Sequence, residues 1–552
     1  MRKFGIAVVA LILGLVVFSF TPPADRYFQI AKNLDIFASV FKEVNSLYVD
    51  ETNPNILIKT GIDAMLQSLD PYTNYVPEDE VEDFLTTITS QYGGIGALTT
   101  VFENRTVISM VYEGFPAYKN GLKIGDEVIA VDGIEIEPLS TDEVNQLTRG
   151  QVGTTITLTV KRFGVNNPLN LQFKREKIKI NNVPYSGMLN TDVGYIELTI
   201  FNPDAGREVK NALVKLKEQG AKNIILDLRG NPGGLLIESV NICNLFIPKG
   251  KKVVTTKGKT TDSNVIYETL NEPIDLDIPV IVLIDRESAS ASEIVAGTLQ
   301  DYDRGVILGE KSFGKGLVQV NRQLPYNSQV KITTAKYYTP TGRCIQVLDY
   351  SHRKEDGSVD AIADSVKRVF KTSNGRDVFD GGGVDPDVKV GGNDISSFTE
   401  HLVSKGFIFD YATEYAYTRP TIPAGKTFSL SDKEYLEFAE WMKQKDIGYI
   451  SPLELQVNKL TVQAHREKYY EVVGTQLQQV KSKIQESHKN DLFFFKPEIK
   501  KQLEENIASR FYLGSGKSEV GLSKDPDVQR SIELFNQPDE YIKILGSTNS
   551  KK

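Results

Sequence analysis

Ser288, Ser290 and Ser292 alternate with alanines and run directly into Glu293 and an apolar stretch, and Lys315 follows inside Phe313-Gly-Lys-Gly316. A serine hydroxyl is a poor nucleophile until a base takes its proton, and a lysine amine kept neutral by burial can be that base. One of three serines at the start of a helix, followed by such a lysine, is a pattern for Ser-Lys hydrolysis. Each half also has a plainer explanation. Ser290-Ala-Ser-Glu293 matches a helix capping box, and a glycine-flanked lysine is commonly a solvated turn. The histidines shift the balance: His352, His401, His465 and His488 are the four in the chain, and all lie beyond the serine run. A Ser-His-Asp arrangement therefore has no obvious base.

Gln319 stands four positions after Lys315. In a strand that spacing puts both on one face, where the glutamine carbonyl can fix the amine. Hydrolysis also needs donors for a developing oxyanion. The N–H of Ala291, next to Ser290, is one candidate, and Gly233 in the turn Arg229-Gly-Asn-Pro-Gly-Gly234 is the other. A dinucleotide site at that turn lacks G-x-G-x-x-G. A trypsin-like Gly-Asn-Ser-Gly-Gly is excluded because Pro232 stands where the serine would be. Cys243 and Cys344 lie in no Cys/His cluster, so neither a metal nor a cofactor is implied.

The elements that must position these residues follow from the pattern of the chain. Residues 164–390 read as mixed α/β. Val193–Leu198, Ala221–Leu228 and Ile278–Asp285 are strands, and Ala205–Glu218, Leu235–Leu245 and Glu293–Gln300 are helices. Strand, sharp turn, serine, helix is a geometry that exposes a nucleophile. Residues 25–90 read as helical, with Leu34, Phe37, Val40, Phe41, Val44 and Leu47 recurring at three and four. Asp70-Pro-Tyr-Thr-Asn74 breaks that pattern. Residues 91–163 alternate instead, ending in the strand Thr154–Lys161. Residues 391–545 return to helix, as in Lys433–Lys445 and Leu453–Lys489, and 546–552 read as a disordered tail. Residues 1–22 form an export signal or membrane anchor. Arg2 and Lys3 precede an uncharged run from Phe4 to Phe20, and Val17-Phe-Ser19 offers small residues for cleavage.

The 91–163 block resembles a PDZ domain through Gly93-Gly-Ile-Gly96, Gly125-Asp126 and the Val131-Asp-Gly133 turn. That resemblance implies that Gly93, Gly94, Ile95 and Gly96 offer backbone N–H groups to a peptide C-terminus while the peptide pairs with a sheet edge. Further motifs are Asp227-Leu-Arg-Gly-Asn-Pro-Gly-Gly234, Ser288-Ala-Ser-Ala-Ser-Glu293, Gly309-Glu-Lys-Ser-Phe-Gly-Lys-Gly316 and Tyr338-Thr-Pro-Thr-Gly-Arg343. Leu69-Asp-Pro-Tyr72 and Gly381-Gly-Gly-Val-Asp-Pro386 join them. In combination, over roughly 30–390, the chain resembles the carboxyl-terminal processing (tail-specific) proteases, peptidase family S41. The resemblance implies that Ser290 is the nucleophile, because the family's serine precedes Ala-Ser-Glu. It further implies Lys315 as general base, Gln319 as the residue positioning it, and a PDZ domain that gates assembly of the site. Cys344 replaces a small hydroxyl residue and reads as neutral packing.

The expected fold class is therefore α+β multidomain: a helical N-terminal region, a PDZ domain, a mixed α/β protease core and a helical C-terminal domain. The expected function is an exported serine endopeptidase of the bacterial periplasm or envelope, anchored to the inner membrane if residues 4–20 are retained. Its partners are proteins or peptides with free C-termini, with an adaptor or a second copy of the chain as further candidates. The alternative is a catalytically silent PDZ scaffold on the same fold. A net charge of −8 implies no basic face for nucleic acid.

Overall fold

The computed structural model describes residues 24–89, 91–136, 140–354, 357–391 and 395–546. The signal or anchor assigned to 1–22 and the tail from 547 onward lie outside them. Among the described residues no helix is long and apolar enough to cross a membrane.

The chain forms two compact units, one comprising the residues up to Pro77 with Asn321–Ile332, the other the remainder. The first holds the helices Ala24–Leu47 and Pro54–Gln67. Asn53 caps the second helix by accepting the N–H groups of Asn55 and Ile56, and Pro54 fills its first position. The break at Asp70 is an Asx turn, the carboxylate accepting the N–H groups of Tyr72 and Thr73. Asn74–Val76, which the sequence reading placed in a helical region, is instead a strand antiparallel to Gln329–Lys331.

In the second unit, six antiparallel strands form the PDZ-like sheet: Ala97–Phe102, Arg105–Val111, Glu127–Val131, Thr155–Lys161 and Leu169–Lys174 in order, with the short Ile134–Glu135 paired to the third. Leu169–Lys174 lies beyond the boundary read at 163. Gly164–Pro168 looks like a domain junction, but it is the turn of a hairpin whose strands pair from Thr155–Lys174 to Val160–Leu169. The helix Thr141–Thr148 starts on a Ser140–Glu143 capping box and meets the first strand through a Thr99–Asn145 side-chain hydrogen bond of 3.1 Å.

The core is a six-stranded sheet in the order Tyr185–Met188, Val193–Glu197, Asn223–Asp227, Val280–Ile284, Val306–Gly309 and Val388–Lys389. The first pair is antiparallel and the rest are parallel. Alternate residues of each strand face opposite ways, and both faces are buried. Ile224, Leu226, Val280, Val282 and Ile284 pack in the cluster that holds Val209, Leu213, Val295 and Leu299 of the covering helices. Ile225, Ile281, Leu283, Val306 and Leu308 pack instead with Leu522, Val528, Leu534 and Tyr541. The end of the C-terminal helical region thus forms the second cover of the core sheet. Continuous apolar runs such as Val280–Ile284 are what such a two-faced burial requires.

The rest of that region packs around Tyr435, Phe438, Leu503 and Ile507. The charged stretch Leu453–Lys489 is two helices, Pro452–Arg466 and Tyr470–His488. The break falls at Lys468, whose φ is 63°.

Candidate active site

Three neighbouring parallel strands of the core end on the same edge, the place where open α/β sheets present loops to a ligand. Asn223–Asp227 leads into the turn Arg229–Gly234, Val280–Ile284 into the serine run, and Val306–Gly309 into the lysine loop.

The three serines have different surroundings. Ser288 and Ser292 are 0% exposed. Their hydroxyls donate to the carbonyls of Leu228 (2.8 Å) and Asn231 (2.9 Å), stitching the serine run to the glycine turn. Ser290 is partly exposed and immediately precedes the helix Ala291–Asp301 with φ 56° and ψ −110°. A serine held in that sparsely populated region is strained, and the surrounding hydrogen bonds must hold it there. The buried Tyr337 hydroxyl donates to the Ser290 carbonyl at 3.1 Å. Burial, with Glu293 nearby, holds that phenol well above its ordinary value, so it stays a donor.

Ala291 opens the helix, where a backbone N–H has no intrahelical acceptor. Gly233 lies against it. A Cβ added to Gly233 would stand 2.8 Å from the Ala291 nitrogen and 2.9 Å from the Ser290 Cβ, and its φ is 96°. Only glycine fits there. The Gly233 N–H donates to the Asn231 side chain at 2.9 Å, so serving an oxyanion would require giving up that bond.

Glu293, read from sequence as a helix cap, does more than cap. Its carboxylate is fully buried and accepts the N–H of Ser290 (2.8 Å), the Ser312 hydroxyl (2.6 Å), and the N–H groups of Gly314 (2.7 Å) and Lys315 (2.9 Å). Burial pushes the carboxyl up while these hydrogen bonds pull it back, leaving it raised. The lysine loop is also held from the other side: the Gly316 N–H donates to the Gln346 side chain at 2.8 Å, and the Val347 N–H to the Gly314 carbonyl at 3.0 Å.

Lys315 is partly buried and lies just before the strand Leu317–Gln323, not in it. Strand alternation therefore does not place it on one face with Gln319, as the spacing suggested; the Gly316 N–H is taken by the Gln346 side chain and not by a neighbouring strand. The Gln319 amide donates to Thr333 on the neighbouring strand at 3.1 Å.

Gly93, Gly94, Ile95 and Gly96 belong to the PDZ-like unit rather than to these loops. Gly93 and Gly94 are in a short strand paired with Lys177 and Glu176, not in an open loop. A Cβ on Gly93 would meet the Gly150 carbonyl at 2.1 Å, which explains the glycine. Ile95 is in the core of the unit, and the Gly96 carbonyl accepts from Tyr112 at 2.9 Å. Sequence reasoning missed Glu293 as a link between loops, together with Tyr337 and Gln346. No local pattern points from any of them to Ser290 or Lys315.

Three family profiles match the chain in the order of this architecture. A profile of peptidase family S41 matches residues 192–349, one of the PDZ domain residues 107–162, and one described as "probable PDZ-protease, C-terminal helical domain" residues 398–535. A carboxy-terminal-processing protease of Bartonella bacilliformis is 35% identical over 347 residues, 62% of this chain and 79% of that one. A "probable CtpA-like serine protease" of Staphylococcus aureus is 37% identical over 316 residues, 57% of this chain and 62% of that one. A solved photosystem II D1 C-terminal processing protease is similar at 26% identity with a TM-score of 0.35, over 64% of this chain and 92% of that one. The profiles and relatives define a serine peptidase that carries a PDZ domain. The chain belongs to peptidase family S41, the carboxy-terminal-processing proteases.

Proposed function

We propose that this chain cleaves exported proteins with Ser290 as nucleophile and Lys315 as its base, after its PDZ domain has taken up the free C-terminus of the substrate. In this reading the Lys315 amine accepts the Ser290 proton as the hydroxyl attacks the scissile carbonyl, then returns a proton to the departing amine. Water repeats the sequence on the acyl-enzyme. Gln319 orients the amine through its carbonyl oxygen while its amide nitrogen stays on Thr333. The Ala291 N–H and, once released from Asn231, the Gly233 N–H receive the oxyanion. Residues 1–22 direct export to the cell envelope and, if uncleaved, anchor the enzyme to the inner membrane.

The observation that carries the reading is the difference among the serines: Ser288 and Ser292 spend their hydroxyls on buried carbonyls, whereas Ser290 sits strained and partly exposed at the helix start. The test is digestion of a denatured protein by wild type, Ser290→Ala and Lys315→Arg, alongside peptides ending in a free acid or an amide. Loss of cleavage in both variants, and preference for the free acid, is the expected result. An active Ser290→Ala would sink the site, an active Lys315→Arg the base, and equal cleavage of both peptides the role of the PDZ domain. A wild type that binds tails without cutting would make the chain a silent scaffold.

A further inference from the structure

The C-terminal helical region reaches the edge of the site through one cluster. Arg229 opens the glycine turn, and its guanidinium is surrounded by three carboxylates. Asp227, from its own strand end, takes Nε and Nη2 at distances down to 2.6 Å. Asp525 and Asp527, nearly three hundred residues on, both take Nη1, at 2.9 and 2.8 Å. Asp525 also caps the helix Pro526–Phe535 by accepting the N–H groups of Asp527 and Val528. That helix packs Val528 and Leu534 on the core sheet. The carboxylates are therefore presented to Arg229 by a rigid element and not by a loose tail.

Beyond Arg229 the chain of contacts continues to the serine. The next residue, Gly230, donates its N–H to Asp285 at 3.0 Å, and Asp285 also accepts the N–H groups of Glu287 and Ser288. Asn231 then accepts the Ala289 N–H and the Ser292 hydroxyl, and Gly233 lies against Ser290 and Ala291. The side-chain hydrogen bonds and ion pairs of both aspartates run to Arg229 and to their own helix. A cleft of about 580 Å³, lined in part by Glu197, Gly230, Asp285, Lys517 and Asp525, opens beside the cluster.

We propose that Asp525 and Asp527 are positioning residues for hydrolysis: by holding Arg229 they fix the glycine turn that backs onto Ser290. This rests on the assignment of the site to Ser290. The C-terminal helical region thereby supplies part of the rigidity of the catalytic edge as well as a cover for the sheet. Replacing either carboxylate by an amide leaves Asp227 to neutralise Arg229, so the fold survives while the turn loses a fixed point. Misplacement of reacting groups by even about 1 Å can cost on the order of a hundredfold in rate.

The experiment uses the full chain carrying Asp525→Asn, Asp527→Asn, both together, or Asp527→Glu, with Tyr541→Phe as control. Tyr541 belongs to the same segment and bonds Val280 through its hydroxyl, without touching Arg229. Melting temperature, KM, and kcat per active site counted with a fluorophosphonate are read for each. The expected result is a kcat lowered roughly tenfold or more by the double substitution with KM little changed, partial recovery in Asp527→Glu, and a Tyr541→Phe enzyme that melts earlier but keeps its kcat. A folded double variant with kcat within about twofold of wild type overturns the proposal, as does an equal loss in Tyr541→Phe. If the double variant does not fold, the two single variants decide on the same criterion. Failure of the underlying site assignment shows separately, as turnover by Ser290→Ala.

Discussion

The backbone N–H of Ser290 and the backbone N–H of Lys315 donate to the same atom, Oε2 of Glu293, at 2.8 and 2.9 Å. Two loops from different strand ends are thus set relative to each other by one buried carboxylate. The other oxygen holds Ser312 and Gly314, so the lysine loop is gripped at three points. A buried carboxyl is costly unless its oxygens are satisfied, and here four donors satisfy it.

Glu293→Gln should cut kcat/KM on the order of a hundredfold, since it would misplace Lys315, the proposed base, and even about 1 Å of misplacement has that effect. The amide nitrogen of glutamine cannot accept, so at least one oxygen's worth of N–H donors is left facing another donor. Steady-state kinetics at a temperature where circular dichroism reports a folded chain is the check. Activity within a few-fold of wild type would mean that other contacts suffice to align the two loops.

Ser288→Ala and Ser292→Ala should lower stability rather than abolish chemistry. Each removes a buried hydroxyl donor from the Leu228 or Asn231 carbonyl, which keeps a backbone N–H from Asn231 or Ala289, a loss of about 0.5–1.5 kcal/mol. Denaturant melts should show a reduced midpoint, with hydrolysis retained where the variants are folded. Ser290→Ala should show the opposite pattern: no hydrolysis, and a midpoint little changed.

Gly233→Ala is expected to be inactive. The added methyl would stand 2.6 Å from the Ala289 carbonyl oxygen and 2.9 Å from the Ser290 Cβ, on a backbone whose φ of 96° already disfavours alanine. On the proposed assignment, labelling by a fluorophosphonate reads the reactivity of Ser290. Labelling at the wild-type rate would show that the turn can yield without disturbing the serine.

Stability should carry a pH signature of Glu293. Burial raises its carboxyl above the ordinary 4.5. A group raised on folding favours the folded state in full below its unfolded value, and that contribution is lost as pH rises through the folded one. The difference in melting temperature between wild type and Glu293→Gln should therefore shrink, in wild type's disfavour, as pH climbs from about 4 through the raised value. A difference independent of pH would mean that Glu293 does not change its ionisation on folding.

Ending the chain at Ser523 should destroy the core and not merely detach an appendage. It removes Val528, Leu534 and Tyr541 from the face formed by Ile225, Ile281, Leu283, Val306 and Leu308. At about 1.5–3 kcal/mol for each buried apolar side chain, that is a large part of a typical domain's stability of roughly 5–15 kcal/mol. Loss of the near-ultraviolet dichroism and of cooperative melting is the expected outcome. A truncated chain that melts cooperatively and hydrolyses peptide would show that the sheet needs no second cover.

Much of the architecture is legible in the sequence because it is written in local terms. Val280–Ile284 is an unbroken apolar run and Ala205–Glu218 is amphipathic with a helical period; each is decided by residues within a few positions. The serine run, the lysine and the glycine turn stand out for the same reason, through their spacing and combination at strand ends. What only the tertiary structure decides is which distant groups meet. Alternating serines look equivalent along the chain, and it is packing against Leu228 and Asn231 that buries two hydroxyls and leaves Ser290 partly exposed. Glu293 caps its helix in sequence, yet its second use depends on a loop some twenty residues later. Arg229 finds Asp525 and Asp527 because the last helices cover the far face of the sheet. A carboxylate or guanidinium carries no local mark of its partner, because a long-range hydrogen bond is selected by the fold as a whole and not by the spacing of neighbours along the chain.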